Sequence, residues 1–245
     1  YFREGGTKPD DKDLYFDTDC LALLESKWSL SKKVVMVSSP ILYLEGNDNI
    51  YLTPLHKAYK RGTSSSDWQK AYQAVKHNRA KSLKKGNLKH FIRSLGALFI
   101  LNIYYQNLSF NLGSNSNGNL FDASIGSSIF SIKLYPFPGI DASGIYKKNE
   151  DFEKCIYIIQ ATNETKELAR KALEDLNEKI LNKAISETQN ELSQMTESLK
   201  ADVLQDKIIN LIKKHKDEYT IAVAKENGAM LAKVFNTLRY EVVLN

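Results

Sequence analysis

The 245-residue chain is predicted to fold as an α+β protein, predominantly helical: a helical bundle with a small β-rich section. Three observations point there. From Ile145 to Asn227, 83 residues pass without a glycine or proline, and apolar residues recur at helical spacing along them. Two further helical patterns, Asp67 to Lys85 and Leu88 to Asn107, are separated by Gly86-Asn87. Strand-like runs are short and gather before residue 66 and around Phe130. A hydrophobic fraction of 42% with 26% charged residues is enough to bury a core and excludes a low-complexity, unfolded chain.

The elements follow in order. Residues 1–16 (YFREGGTKPDDKDLYF) combine Gly5-Gly6 with a charged run and are expected to form a loose arm or a truncated element. The chain opens on Tyr1 rather than Met, as a sequence lacking its natural start would. A short helix is expected from Thr18 to Trp28, capped by Thr18 or Asp19, with Leu21, Leu24 and Trp28 on one side. Lys33 to Val37 has strand composition. Ile41 to Leu44 and Ile50 to Leu52 flank Gly46-Asn47-Asp48-Asn49, the pattern of a hairpin with a longer turn, and Pro54 closes this section. Arg61 to Ser66 (RGTSSS) reads as a linker, after which Ser66 or Asp67 can cap the first hairpin helix.

Gly86 supplies a stop and Asn87 a fresh cap for the second helix. Its apolar run, Leu95 to Tyr105, is about half a bilayer span, so it is expected to be a buried helix and no membrane partner is implied. Gly113 to Asn119 forms a polar loop. Phe130, Ile132 and Leu134 alternate with Ser131, Lys133 and Tyr135 as a half-buried strand ending at Pro136, and Pro138, Gly139 and Gly144 mark a break. The long tract from Ile145 is expected to form one very long helix, or two to three helices turning near 186–190 or 199–202. Lys225 to Gly228 signals a turn, and Tyr240 to Leu244 a terminal strand. The organisation expected is therefore a β-rich section over 1–66, a basic helical hairpin over 67–112, a loop and strand over 113–144, and a long helical region over 145–245.

Charge singles out the hairpin. The net charge is +5, but His56 to Arg93 holds eleven Lys or Arg residues against Asp67 alone, a local +10, and no acid occurs from Trp68 to Phe121. Charge of one sign gathered in one place is what meets phosphate; a solvated face answered by acids elsewhere is the other reading. On a regular helix, Trp68, Ala71, Tyr72, Val75 and Arg79 share one stripe, while Lys70, His77, Lys81 and Lys84 stand opposite. The cationic row fits a phosphate backbone or a wet helix face. Arg79 could reach a ligand phosphate or a structural carboxylate. Trp68 and Tyr72 could stack bases or belong to the core.

His56, His77 and His90 all lie inside the basic block, and a neutral imidazole beside cations suits general-base chemistry on a phosphodiester. His77 and Arg79 are the catalytic candidates. Lys70, Lys76, Lys81, Lys84, Lys85, Lys89 and Arg93 are the nucleic-acid-binding ones. The histidine spacing matches no zinc pattern, and neither a metal nor a cofactor is expected. A Gly-rich phosphate loop, a GxSxG elbow and an HExxH motif are absent. The acidic residues Asp10, Asp11, Asp13, Asp17 and Asp19 suit a solvated arm. Two distant cysteines, Cys20 and Cys155, fit a reducing cytoplasm rather than a disulfide framework.

The stretch DWQKAYQAVKHNRAKSL, followed by NLKHFIRSLGALFILNIYY, resembles helix pairs of prokaryotic HEPN (higher eukaryote and prokaryote nucleotide-binding) domains over residues 67–107. The resemblance implies a small helical bundle and a place in stress or defence systems, as a metal-independent ribonuclease or a binder of RNA or nucleotide. Tyr72, Lys76, His77 and Arg79 would be the matching positions. Active members carry Arg, four to six residues, then His, and no Arg here has a His at that distance. The competing expectation is a non-catalytic scaffold whose C-terminal helices hold a second copy or a protein partner.

Overall fold

The computed structural model describes residues 19–60, 65–136, 151–194 and 201–245. The expected N-terminal arm with Thr18 and most of its acids, the linker residues 61–64, the break over 137–144 and the turn around residue 199 lie outside them. Among the described residues the α+β, mostly helical class holds: helices dominate, and two small sheets accompany them. The chain forms two compact units, Tyr1–Asn111 with Ser116–Gln160 and Val242–Asn245, and Leu112–Asn115 with Ala161–Glu241.

In the first unit, α1 (Leu21–Trp28) ends where Ser29 turns left-handed and its N–H returns to Glu25 O at 2.8 Å. Strand β1 (Val35–Val37) pairs antiparallel with β2 (Tyr51–Leu52) on one side and β4 (Phe130–Ile132) on the other, so that Val35 faces both Leu52 and Ile132. The hairpin expected across Gly46–Asn49 does not form. Asn47–Ile50 is instead a one-turn helix, α2, and the strand after it pairs with β1 rather than with residues 41–44. Gly46 at φ +83° makes the entry, and Asn49 Nδ2 donates to Glu45 O at 2.8 Å, so local side-chain bonding competes successfully with a ladder.

Helices α3 (Asp67–His77), α4 (Arg79–Ser82) and α5 (Leu88–Gln106) form the basic hairpin. α5 lies close against the small sheet: a Cβ added at Gly96 would meet Val35 Cγ2 at 3.3 Å and Pro54 Cγ at 3.5 Å. Ile92, Ala97, Ile100, Ile103 and Tyr104 bury the same face. The alternating run after residue 129 is not one strand. β4 joins the three-stranded sheet and β5 (Leu134–Tyr135) pairs parallel with β6 (Tyr157–Ala161), with Lys133 between them. The second sheet has the order β3-β7-β6-β5, with β3 at Phe110–Gly113 and β7 at Tyr240–Leu244.

An aromatic cluster packs in this unit, Phe110 of β3 on Phe121 of the following loop and on Tyr157 of β6, with centroids 5.3 and 5.6 Å away. Strand β6 was not visible as such in the Gly- and Pro-free tract, yet its burial alternates, with Tyr157, Ile159 and Ala161 inward.

The second unit is built on α6 (Asn163–Ser193), α7 (Ala201–Glu226) and α8 (Gly228–Asn236). Thr162 caps α6, accepting from Thr165 N at 3.3 Å. α6 runs through 186–190 without the turn considered there. It pairs antiparallel with α7, since Lys179 reaches Asn227 while Glu191 reaches His215. The turn expected over 225–228 is present at Asn227.

Candidate nucleic-acid interface

The basic hairpin is anchored at its N-terminal end. Ser66 N–H and Oγ both donate to Gln69 Oε1, at 3.1 and 2.8 Å, closing the first turn of α3. Gln69 Nε2 donates to Ala58 O at 3.1 Å, and Trp68 Nε1 to Pro54 O at 2.7 Å. Trp68 thus serves the packing of α3 on the loop beneath it. Ala71 is buried one turn on, whereas Tyr72 is 59% exposed.

The first helix does not continue to Lys85. At Asn78 (φ −147°, ψ 71°) α3 stops, and the Asn78 side chain accepts from Lys81 N to start α4, followed by a 3-10 turn over Leu83–Lys85. Asparagine in a helix interior competes for backbone donors, and here it wins. The single cationic row drawn on a regular helix is therefore divided. Lys70 and His77 lie on α3; Lys81 is on α4 and Lys84 on the 3-10 turn. Arg79 does not extend the apolar stripe either: it is exposed at the first position of α4.

Lys70, Lys76, Arg79, Lys81, Lys84, Lys85 and Lys89 are all exposed, and among the described residues none pairs with a carboxylate. Lys76 Nζ stands 5.9 Å over the Tyr72 ring. Arg93 is the exception. It is half-buried and bonded to Asp67, the sole acid of the block, and its other amino group reaches Asp48 O at 3.4 Å. Lys70 and Arg93 line a polar cleft of about 410 Å³ with His56, Asp48 and Asp67.

The three histidines of the block are dispersed. His56 is in that cleft. His77 is exposed, with Nε2 against Gln73 Oε1 at 3.2 Å. His90 donates from Nδ1 to Lys85 O at 2.8 Å, bracing the α3–α5 turn. His77 and Arg79 flank the break at Asn78, and no hydrogen bond joins them. Between α3 and α5 runs an apolar groove of about 530 Å³, lined by Trp68, Tyr72, Val75, Leu88 and Phe91 with His90 at its edge. Among the described residues no group of three His, Cys, Asp or Glu is arranged to hold a metal, and no helix is long and apolar enough to cross a membrane.

No family model, curated protein or solved structure matches the chain.

Two buried polar centres escaped the sequence reading. Lys33, only 2% exposed, donates to Cys155 O at 3.0 Å, and burial lowers its pKa to about 8 against the attraction of the Cys155 thiol, Glu153 and Glu25. Nothing in KVVMV marks its first lysine as interior. In the second unit, His215 is buried with its ring nitrogens against Glu191 Oε2 (2.9 Å) and Glu218 Oε2 (3.0 Å), tying α7 to α6. Glu218 is one turn from His215 on the same helix, whereas Glu191, 24 residues upstream, meets it only because α6 and α7 pack together.

Proposed function

We propose that the protein binds RNA through the phosphate backbone, using the cationic surface of the α3–α5 hairpin, in a prokaryotic stress or defence setting of the kind the HEPN resemblance implies. One observation carries the reading. Seven exposed cations between Lys70 and Lys89 have no carboxylate partner among the described residues, and the block's one acid is already held by Arg93. Unanswered surface charge of this density attracts a polyanion by releasing its counterions. Lysines act there as point charges that need no fixed geometry, which suits a flexible single strand.

The reading is one of binding rather than cleavage. Metal-independent phosphodiester cleavage needs an acid and a base converging on one phosphate. His77 and His90 sit at separate places on the hairpin, His56 lies on the turn before it, and His77 has no bond to Arg79.

Fluorescence anisotropy with a labelled single-stranded RNA tests this. Engagement of about five cations gives a log–log salt slope near −3.5 for a single strand. Lys81→Glu/Lys84→Glu/Lys85→Glu should weaken binding by at least about tenfold while leaving the melting temperature unchanged. Absence of binding at low salt, or binding that the triple variant leaves intact, overturns the proposal. So does capture by anionic lipid vesicles without any capture of RNA.

A further inference from the structure

α5 buries one face in the core of its unit and leaves a second, mostly apolar stripe largely exposed. Ile92, Gly96, Ala97, Ile100, Ile103 and Tyr104 are buried. On the opposite side, Leu88, Phe91, Leu95, Leu98, Asn102 and Tyr105 follow one another at steps of three and four residues. Leu88 is 59% exposed, Phe91 58%, Leu98 63% and Tyr105 89%; Leu95 is half-buried and Asn102 is exposed. This is the a/d seam of a heptad repeat, unbroken from one end of the helix to the other. Its four most exposed apolar side chains present on the order of 500 Å². With the flanking contacts of two packed helices, that approaches the roughly 800 Å² per partner of a stable interface. Isolated exposed leucines need no partner, but a contiguous seam of this size marks an interaction surface.

We infer that the seam is covered by α5 of a second copy of this chain, packed antiparallel about a two-fold axis near Leu95 and Leu98. Three features of the helix select this occupant and direction. First, the seam matches itself in reverse: Leu88 falls opposite Tyr105 of the other copy, Phe91 opposite Asn102, and Leu95 opposite Leu98, so one surface serves both sides of an isologous contact. Second, Lys84, Lys85, Lys89 and Arg93 crowd the N-terminal end, while 94–107 carries no charge. A parallel pair would set these cations side by side. An antiparallel pair places each cluster against a neutral partner segment and the negative end of its helix dipole. Third, the α3–α5 groove opens beside Leu88 and Phe91. That is where Tyr105 of the other copy arrives, an exposed aromatic knob against an apolar groove.

The exposed lysines of α4 and the following turn flank the seam but hold none of its six positions, so substitutions within the seam leave the RNA-binding cations in place. Sedimentation velocity on the full chain should show a dimer. Leu98→Glu and Tyr105→Glu should each give a monomer with unchanged circular dichroism, because both side chains are outside the core, and each monomer should still bind RNA. Direction is read by cross-linking in a Cys20→Ser background. Leu88→Cys/Tyr105→Cys should oxidise to a covalent dimer, and Asn102→Cys should not. A wild-type chain that stays monomeric across the concentration range overturns the proposal, whatever else covers the seam. A dimer that survives both glutamate substitutions, or efficient Asn102→Cys cross-linking, overturns it as well.

Discussion

The ammonium of Lys33 lies 3.0 Å from the carbonyl oxygen of Cys155, 122 residues away in sequence. That carbonyl is not dependent on the lysine, because Asn245 Nδ2 also donates to it, at 3.1 Å. Asn245 is held in turn: its N–H donates to Ile156 O at 2.9 Å, and Tyr104, whose hydroxyl burial keeps protonated well above its ordinary range, donates to Asn245 O at 2.8 Å. Lys33 is therefore a charge in the interior with one replaceable bond.

Lys33→Met should stabilise the protein by about 1–2 kcal/mol at neutral pH, since an apolar chain of similar volume removes a buried charge and Cys155 O keeps a donor. The pH dependence has a definite sign. The lysine pKa is lowered to about 8 in the folded state, so between pH 8 and the ordinary lysine range the unfolded chain binds more protons than the folded one. The contribution of Lys33 to stability therefore rises with pH across that window, and the advantage of the methionine variant must shrink. Urea midpoints of both proteins at neutral and alkaline pH check this. A gap that stays constant would show that Lys33 is not desolvated.

Gly118 and Gly126 share φ +75° but differ in their surroundings. A Cβ at Gly118 would stand 2.6 Å from Leu134 Cδ2 and 2.9 Å from Ile159 Cδ1, while nothing lies within 4 Å of Gly126. Gly126→Ala should cost about 1 kcal/mol from backbone strain alone. Gly118→Ala adds a clash with two core side chains and should cost about 2–4 kcal/mol. Thermal unfolding of the two variants separates strain from overpacking, and equal losses would count against the packing around Gly118.

Asp67→Asn removes the sole negative charge of the basic block and frees Arg93. RNA affinity should rise by about two- to fivefold with a steeper salt dependence. Stability should fall by roughly 0.5–1 kcal/mol, because the pair is partly solvent-screened and Asp67 also favours the N-terminus of α3. Anisotropy and melting on the same sample test both. An affinity that does not change would place the RNA elsewhere on the surface.

The local punctuation of this fold was legible in the sequence, and its long-range choices were not. Ser66, Gly86, Asn87 and Asn227 begin or end helices through bonds to their immediate neighbours, so their residue types suffice to place them. Tyr240–Leu244 was readable for the same reason, as a β-rich run bounded by turns. Strand β2 was assigned the wrong partner because pairing with β1 depends on where Gly46–Asn49 sends the chain. Strand β6 was hidden in a tract whose lack of glycine and proline says only that no break is forced. On the hairpin, composition gave the charge but not the division at Asn78, which separates His77 from Arg79. An apolar run from Leu95 to Tyr105 suggested a buried helix; hydrophobicity alone does not tell a helix enclosed in its own core from one with a second face left open.

Lys133 is the only residue between β4 and β5, and each of those strands serves a different sheet. Adding or deleting one residue there would invert which side chains point inward on whichever strand moved, setting Phe130 and Ile132 against Tyr135 for the available slack. The chain at this point is a shared reading frame. It can accept new side chains at Lys133, whose amine bonds Asp151 at 2.6 Å near the surface, far more readily than it can accept a change of length.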